Sequence, residues 1–491
     1  MPPLCPLSKN ISLNLWRFKD FSYLCPHKTL ITNQNKNYMN EKKDNLSRRE
    51  FLRRLGIGTG SAMGLMALGP LKALAQDEKE TTSTGRMTYR VQHGSGEQIS
   101  LLGFGMMRLP NDQEEVNRLV DYAIEHGVNY FDTAPMYMGG RSEVLTGNAL
   151  SRHPREKYYV ATKMSNQRDN LWDFDEAQKM YYQSFQRLKV DHIDYYLLHS
   201  IGGGGMDALN GRFFDNHLLE FLLKEREAGR IRHLGFSYHG DVRPFDWLLD
   251  HQDEYHWDFV QIQMNFLDWR HASLNTNGWR KDADAEYLYN KCEKMGVQCV
   301  VMEPLRGGAF GKMARELTNQ LKAVRPDDST ARWAFRWVGS HSNILTTLSG
   351  MNEMEHLMEN VETFSPLEIC TEAENKLLAD IADQMAGYPT IPCTTCAYCM
   401  PCPYGVDIPG NFAYYNEAVN TKLLPLPDKT ASDFSIRKQA FVDGYQAALP
   451  DQNTWARSCQ DCEECLPKCP QQIRIPNQLA RIVETLRGPR K

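Results

Sequence analysis

Eight short apolar segments recur along the middle of the chain, and amphipathic segments of helical period separate them. Each apolar segment has the length and the β-branched and aromatic content of a buried strand. Strands that alternate with helices form a parallel sheet, and eight such units close into a (β/α)8 TIM barrel. The predicted strands are 101–105, 128–131, 158–162, 193–198, 231–236, 259–264, 297–302 and 344–348.

Residues 87–108, around the first of these strands, have the pattern of a β-hairpin whose turn is Gly94-Ser95-Gly96. Residues 114–126 then place their apolar side chains on one face of a helix. The barrel is therefore expected to begin with a hairpin and an amphipathic helix.

Four polar residues stand at or just beyond the ends of the second, third and fourth predicted strands: Asp132, Tyr137, Lys163 and His199. The carboxyl ends of barrel strands meet at one face, so these side chains should lie together. A free tyrosine titrates near pH ~10, and an ammonium group beside it favours the phenolate. We expect Asp132 to hold Lys163, Lys163 to lower the pKa of Tyr137, and Tyr137 to act as the general acid. Singly, a strand-end Asp is more often a turn residue, and a lone His is more often structural.

The stretch GVNYFDTAPMY, followed by Ser142-Glu143, Gly147 and the later ATK and LLH, resembles the aldo-keto reductases. The resemblance covers about residues 87–365. In that family the four matching positions form a catalytic tetrad, and a nicotinamide cofactor delivers hydride to an aldehyde or ketone. The resemblance thus implies that the four residues above are catalytic.

The same resemblance implies a nucleotide site along the later strands. A Ser and a Gln would hold the nicotinamide amide group, loops after the last two strands would bind phosphate and ribose, and a Glu-Asn pair would contact adenine. The matching residues are Ser237, Gln261, Leu305, Gly307, Gly350, Glu359 and Asn360.

This chain departs from the family pattern at that site. Tyr238 replaces the usual Asn, and Met302 replaces the Tyr on which the nicotinamide stacks. Met302 is either a cofactor contact or a core residue. Residues 351–358 contain no Lys or Arg to pair with the 2′-phosphate of NADP. NADP and NAD both remain open as the cofactor.

Eight of the thirteen cysteines fall in two tight groups near the C-terminus. The second group has the C-x2-C-x2-C-x3-C-P spacing of bacterial ferredoxins, in which the fourth Cys ligates the other cluster. By that analogy, one [4Fe–4S] cluster would take Cys393, Cys396, Cys399 and Cys469, and a second would take Cys402, Cys459, Cys462 and Cys465.

Disulfides, zinc and a single cluster are the alternatives, but triplets this tight bridge poorly and zinc usually takes paired cysteines. Cys292, Cys299 and Cys370 lie in helix or strand patterns and are expected to be core thiols. The run CTTCAYCMPCPYGVDIP resembles a bacterial aldo-keto reductase subgroup with a ferredoxin-like domain. We therefore assign 366–491 to a small, mostly helical ferredoxin-like domain.

The N-terminal part has no barrel pattern. Residues 1–38 form a non-native or disordered leader in this interpretation, with Met39 as the true start. Residues 39–75 join the pattern S-R-R-x-F-L-R to a Gly-rich apolar run and the small residues before Ala75, which resembles a twin-arginine signal. A basic surface helix is the alternative. The signal predicts export to the periplasm or cell envelope of a bacterium.

Together these features predict an exported oxidoreductase that moves hydride between a nicotinamide and a small carbonyl or alcohol, while its clusters relay electrons to a redox partner protein. The net charge of −5 without a basic block argues against nucleic acid, and the apolar run is too weak for an integral membrane protein. An electron carrier with a scaffold barrel, or purely structural clusters, are the alternatives. Tyr238, Trp269 and Trp279 line the substrate pocket or belong to the core.

Overall fold

The computed structural model describes residues 86–272, 283–425 and 432–487, and the first of these ranges begins the barrel. Eight parallel strands close into a barrel in which each strand pairs with the next and the last pairs with the first. All eight predicted strands are confirmed. They are β3 (Leu102–Gly105), β4 (Tyr130–Asp132), β5 (Tyr159–Met164), β6 (Ile193–Ile201), β7 (Ile231–Tyr238), β8 (Phe259–Gln263), β9 (Gln298–Met302) and β10 (Ile344–Ser349).

The barrel interior is filled by side chains, as is usual for eight strands. A buried cluster of mostly aromatic and aliphatic residues from the strands occupies it, including Tyr130, Tyr195, Phe259 and Val300. The strands are buried on both faces, which explains why their sequences are continuous apolar runs rather than alternating ones.

The predicted hairpin forms strands β1 (Tyr89–Val91) and β2 (Gln98–Ser100), which pair antiparallel. Ile99 is fully buried against the barrel interior. Glu97 pairs with His233 at the start of β7, where the Nε2–Oε2 distance is 2.8 Å. The hairpin therefore closes the amino-terminal end of the barrel and leaves the other end for chemistry.

Helices surround the barrel, and their apolar faces pack on the strands. The helix expected at 114–126 is Gln113–Glu125, and Asp112 caps its N-terminus through the backbone of Glu115. The barrel-side helices are Gln113–Glu125, Arg141–Leu150, Phe174–Leu188, Gly205–Leu209, Leu218–Glu227, Val242–Asp250, Gln252–Tyr255, Asp268–His271, Ala285–Lys294, Arg315–Val324, Thr330–Gly339, Met354–Thr363 and Glu372–Ala386.

The C-terminal domain is predicted to begin at residue 366, but the helix Glu372–Ala386 packs its buried residues into the barrel's hydrophobic cluster. We call the part that follows, residues 388–487, the cysteine module, and helices form most of its regular structure. Its helices are Ile408–Asn420, Phe434–Ala448 and Ile475–Arg487. Their buried faces form a second hydrophobic cluster, separate from that of the barrel, around Phe412, Tyr415 and Tyr445. Of the eight cysteines in the two groups, Cys462 is exposed and the other seven are partly buried.

Several sequence-based expectations fall outside the described residues. They include the leader at 1–38, the twin-arginine segment at 39–75 and Trp279. Cys292, Cys299 and Cys370 are buried, free thiols, as expected. Across the described ranges, none of the helices combines the length and apolar character needed to cross a membrane.

Candidate active site and cysteine cavities

The structure brings the four predicted catalytic residues together at the carboxyl ends of β4, β5 and β6. Lys163 Nζ donates to Asp132 Oδ1 at 2.5 Å and to the backbone oxygen of Thr133 at 2.8 Å. The same Nζ lies 4.9 Å from the centroid of the Tyr137 ring. The His199 ring meets the Tyr137 ring edge to face, with centroids 5.9 Å apart. Tyr137 is therefore bordered by a buried ion pair and an imidazole.

The electrostatics of Tyr137 differ from the expectation. Burial raises its pKa well above the ordinary value, and Tyr398, Asp132 and Glu303 raise it further. The Lys163 ammonium, which is paired with Asp132, does not outweigh burial and these neighbouring groups, so the net shift of the Tyr137 pKa is upward. The predicted anchoring of Lys163 by Asp132 is found, but the pKa of Tyr137 is raised overall and not lowered. Tyr137 starts as a protonated donor.

His199 is held in a neutral state. Burial lowers its pKa well below the ordinary value, and the neighbouring charges of Lys163 and Arg212 lower it further. Ser165 Oγ lies 2.7 Å from His199 Nδ1, and Arg212 donates to its backbone oxygen. This imidazole is fixed through Nδ1, which leaves Nε2 for a substrate oxygen.

The residues predicted to bind a nicotinamide nucleotide lie along the ends of β7 to β10. Gln261 Oε1 is buried and accepts no hydrogen bond from the part of the chain that the structure describes. Such an orphaned acceptor fits the amide group of a nicotinamide. Ser237 Oγ accepts from the backbone of Ser200 at 2.8 Å and can still donate. The floor of the site thus suits a carboxamide.

In the outer part of that site, some predicted residues are accessible to a ligand, and one is already hydrogen-bonded within the protein. Leu305 and Gly307 are partly exposed, and Gly350 is exposed. Glu359 is partly exposed, whereas the Asn360 side chain is buried and donates to Ser349 Oγ at 3.0 Å. Asn360 would have to release Ser349 before its amide could contact a ligand.

The residues that depart from the family pattern also have defined places. Tyr238 is buried, packs on Phe245 and donates to the backbone oxygen of Gly240. Met302 packs on the barrel interior while part of its side chain stays exposed. Trp269 packs against Trp337 and neighbouring rings on the outer side of the barrel, which makes it a core aromatic.

The eight cysteines of the two groups line two cavities, and each cavity draws on both groups. One cavity, of about 320 Å³, is lined by Cys393, Cys396, Cys399 and Cys469 together with apolar residues such as Phe412. We call it the inner cavity.

The outer cavity, of about 370 Å³, is lined by Cys402, Cys459, Cys462 and Cys465, and Cys399 also borders it. Within the described ranges, no three His, Cys, Asp or Glu side chains surround the position of a single metal ion. Four thiols around a mostly apolar space in each cavity fit an iron–sulfur cluster, which the thiolates would hold.

The cysteine module docks on the open end of the barrel. Arg108 Nη2, in the turn after β3, donates to the backbone oxygen of Thr394 at 2.7 Å. Gln471 and Gln263 exchange hydrogen bonds between their side-chain amides, one of them 2.9 Å long. Gly307 lies so close to Thr394 that a Cβ atom there would be 2.4 Å from the Thr394 oxygen. The inner cavity therefore lies on the side of the module that faces the open end of the barrel.

Sequence reasoning missed the residues at this contact. Glu303 adopts a positive φ of 56° after β9, and burial raises the pKa of its carboxyl. Tyr398 stands between two cysteines and donates to Met107 Sδ at 3.9 Å. Because Tyr398 lies inside a metal-ligand motif, the sequence provides no reason to expect that its side chain faces the barrel. No periodic pattern in either segment signals that the two meet.

Comparison with known proteins gives two domain matches. The model of the Aldo/keto reductase family matches residues 101–377, which is more than half of the chain. The model of a 4Fe-4S dicluster domain matches residues 392–474.

Individual relatives match the barrel. The uncharacterized oxidoreductase YqkF of Bacillus subtilis is 27% identical over 294 residues, which cover 57% of this chain and 92% of that protein. L-galactose dehydrogenase of Arabidopsis thaliana is 24% identical over 306 residues, covering 58% and 90%. Among solved structures, the holo form of an aldo-keto reductase from Bacillus halodurans is 24% identical and covers 60% of this chain and 96% of its own, with a TM-score of 0.48.

Proposed function

Because the chain belongs to the aldo/keto reductase family, it is an NAD(P)-dependent oxidoreductase, and we propose that it interconverts a small carbonyl compound and its alcohol at Tyr137. The observation that supports this is the buried Lys163–Asp132 pair, 2.5 Å apart, under the Tyr137 ring. A bound nicotinamide nucleotide supplies or accepts the hydride. The chain's own residues handle the proton and the substrate oxygen.

In the direction of reduction, the Tyr137 hydroxyl donates its proton to the carbonyl oxygen as negative charge develops there. Neutral His199 donates a hydrogen bond from Nε2 to the same oxygen and adds no charge of its own. The phenolate that remains on Tyr137 lies beside the Lys163 ammonium, which stabilises it at the moment when it forms. Lys163 thus offsets part of the cost that burial places on the Tyr137 phenolate.

We further propose that the two cysteine cavities hold one [4Fe–4S] cluster each, with the crossed ligand sets given above. Such clusters supply one-electron transfer, which suits exchange with a redox partner protein. Export by the twin-arginine route completes the proposal, since proteins with this signal are exported already folded around their cofactors.

A second candidate is an electron carrier whose barrel serves as a scaffold. The close contact of Thr394 with Gly307 favours it, because Gly307 belongs to the expected phosphate-binding loop. Tyr238 and Met302 in place of the family's residues point the same way. The two candidates differ in whether the protein binds a nicotinamide nucleotide at all.

The test is anaerobic purification followed by iron and sulfide analysis, electron paramagnetic resonance and assay of nucleotide released by denaturation. The proposal expects about eight iron atoms per chain and binding of NADH or NADPH. It also expects Tyr137→Phe to lower the rate of carbonyl reduction by at least about 100-fold. Eight iron atoms with no nucleotide binding and an unchanged Tyr137→Phe variant would favour the electron carrier. Cell fractionation tests export, and mature protein confined to the cytoplasm would refute that part.

A further inference from the structure

A second tyrosine stands at the candidate active site, and the cysteine module contributes it. Tyr398 lies between Cys396 and Cys399 in the first cysteine group, and its hydroxyl reaches across to Met107 in the turn after β3. The side chain is partly buried at the barrel opening. The Tyr398 hydroxyl thus reaches the barrel opening from the cysteine module and not from a barrel strand or helix.

The Tyr398 hydroxyl is close to the catalytic group. It contacts Met107 in the turn Met106–Arg108, and that turn packs against the segment Tyr137–Gly140, which begins with the catalytic tyrosine. Tyr137 and Tyr398 therefore both border the open end of the barrel.

The backbone contacts of the loop fix this position. Thr394 accepts from Arg108 on one side of the opening and abuts Gly307 on the other. Gln471, near the last cysteine of the inner cavity, is bonded to Gln263 at the end of β8. Contacts at the ends of three barrel strands hold the cysteine loop against the barrel opening. The position of Tyr398 therefore depends on the contact between the cysteine module and the barrel as well as on the conformation of its own loop.

The present partner of the Tyr398 hydroxyl is a poor one. A thioether sulfur is a weak acceptor, and the O–S distance of 3.9 Å is long. If the Tyr398 hydroxyl turned from the Met107 sulfur to a substrate carbonyl oxygen, it would give up a weak hydrogen bond and form a stronger one. The loss of the Met107 contact therefore costs little free energy.

We propose that Tyr398 is a second hydroxyl donor to the reacting oxygen of the substrate, which makes the docked cysteine module part of the catalytic site. This inference rests on the proposed carbonyl chemistry at Tyr137. It assigns the module a role besides ligating iron, because removal of the module would remove one donor from the active site.

The test compares Tyr398→Phe with Tyr414→Phe, using the holoenzyme and 4-nitrobenzaldehyde as the probe. Tyr414 donates to the backbone oxygen of Phe441 within the module, so its loss measures what a structural hydroxyl contributes. A hydrogen bond to developing charge predicts that Tyr398→Phe lowers kcat/KM by about 10- to 100-fold. Tyr414→Phe should leave it unchanged, and both variants should keep the wild-type iron content.

Equilibrium binding supplies a readout that does not depend on turnover. Saturation-transfer NMR of 4-nitrobenzaldehyde should show weaker binding to Tyr398→Phe than to the wild type or to Tyr414→Phe. An unchanged kcat/KM in Tyr398→Phe, with Tyr137→Phe inactive, would overturn the inference and leave the proposed function standing. If the wild type reduces no aldehyde, the proposed function fails, and equal binding by Tyr398→Phe and wild type would then overturn this inference too.

Two glycine variants test the docking itself. Gly307 and Gly308 both have positive φ, 64° and 87°, so an alanine strains the backbone at either position. Only at Gly307 would the added Cβ meet Thr394, whereas at Gly308 it meets nothing within 4 Å. Gly307→Ala should speed hydrogen–deuterium exchange in residues 106–108 and 394–398, and Gly308→Ala should not. Equal exchange in the two variants would refute the docked position of Tyr398.

Discussion

Lys163 and Asp132 face each other from neighbouring strands of the barrel, with Nζ 2.5 Å from Oδ1 and side chains that are 0% and 4% exposed. Water therefore cannot compensate either charge if its partner is removed. Burial lowers the pKa of Lys163 and raises that of Asp132, while their mutual attraction opposes both shifts. The pair borders Tyr137, and the barrel should lose stability when either partner is removed.

Replacing Asp132 with Asn should therefore damage stability as well as activity. The variant leaves an uncompensated ammonium group in the barrel, which predicts a loss of about 3–5 kcal/mol in the free energy of unfolding. Asp121→Asn is the matched control, because Asp121 pairs with Arg152 at the surface with both side chains more than a third exposed. Its loss should be at most about 1 kcal/mol. Urea unfolding followed by circular dichroism measures both, and similar losses in the two variants would contradict the prediction.

The fourth cysteine of each group lines the cavity that is formed mainly by the other group. This crossed arrangement predicts different effects when Cys469 or Cys402 is replaced. Cys469→Ser should remove iron from the inner cavity and increase hydrogen–deuterium exchange in the turn 106–108, which contacts the module there. Cys402→Ser should remove about the same amount of iron, from the outer cavity, and leave that turn unchanged. If Cys402→Ser is the variant that loosens the turn, the ligand sets are not crossed.

His233 should make stability depend on pH at the closed end of the barrel. Burial alone would lower its pKa, but Asp258 and Glu97 outweigh this and raise the pKa to about 9. A pKa above the unfolded value of 6.5 means that protonation stabilises the folded state. This stabilisation is fully present below about pH 6.5 and is lost as pH rises through 9.

The measurement is the difference in unfolding free energy between wild type and His233→Gln across pH 6 to 10. It should shrink by about 2–3 kcal/mol over that range. His356→Gln serves as the control, since that side chain is 57% exposed and its removal should cost little at any pH. A difference that is constant with pH for His233→Gln would show that Glu97 and Asp258 do not hold a charged imidazole.

A close approach of two helices predicts an intolerant glycine. At Gly147, in the helix Arg141–Leu150, a Cβ atom would lie 2.1 Å from the backbone oxygen of Arg187. Gly147→Ala should force the helices apart and cost at least about 2 kcal/mol, as overpacking of a close-packed interface does. Gly311→Ala adds the same methyl group where nothing lies within 4 Å and should cost much less. Equal thermal unfolding midpoints would contradict this.

The barrel could be predicted because each of its strands is short, apolar and buried on both faces, so local composition identifies it. Asp132, Lys163 and His199 were placed by the same reasoning, since the fold brings strand ends together. The pKa of Tyr137 could not be predicted, because it depends first on how deeply the hydroxyl is buried and then on Tyr398 and Glu303, which come from the cysteine module and from the loop after β9. Residue type and spacing contain no information about which surfaces of two domains meet.

The inner cavity takes three cysteines from residues 393–399 and its fourth from Cys469, so its wall is incomplete until Cys469 has been made. The last barrel strand ends at Ser349. During synthesis, which proceeds from the N-terminus, the barrel can close while its active site is still uncovered. The order of residues along the chain therefore means that the residues of the barrel site can fold before the module that contacts its open end has been made.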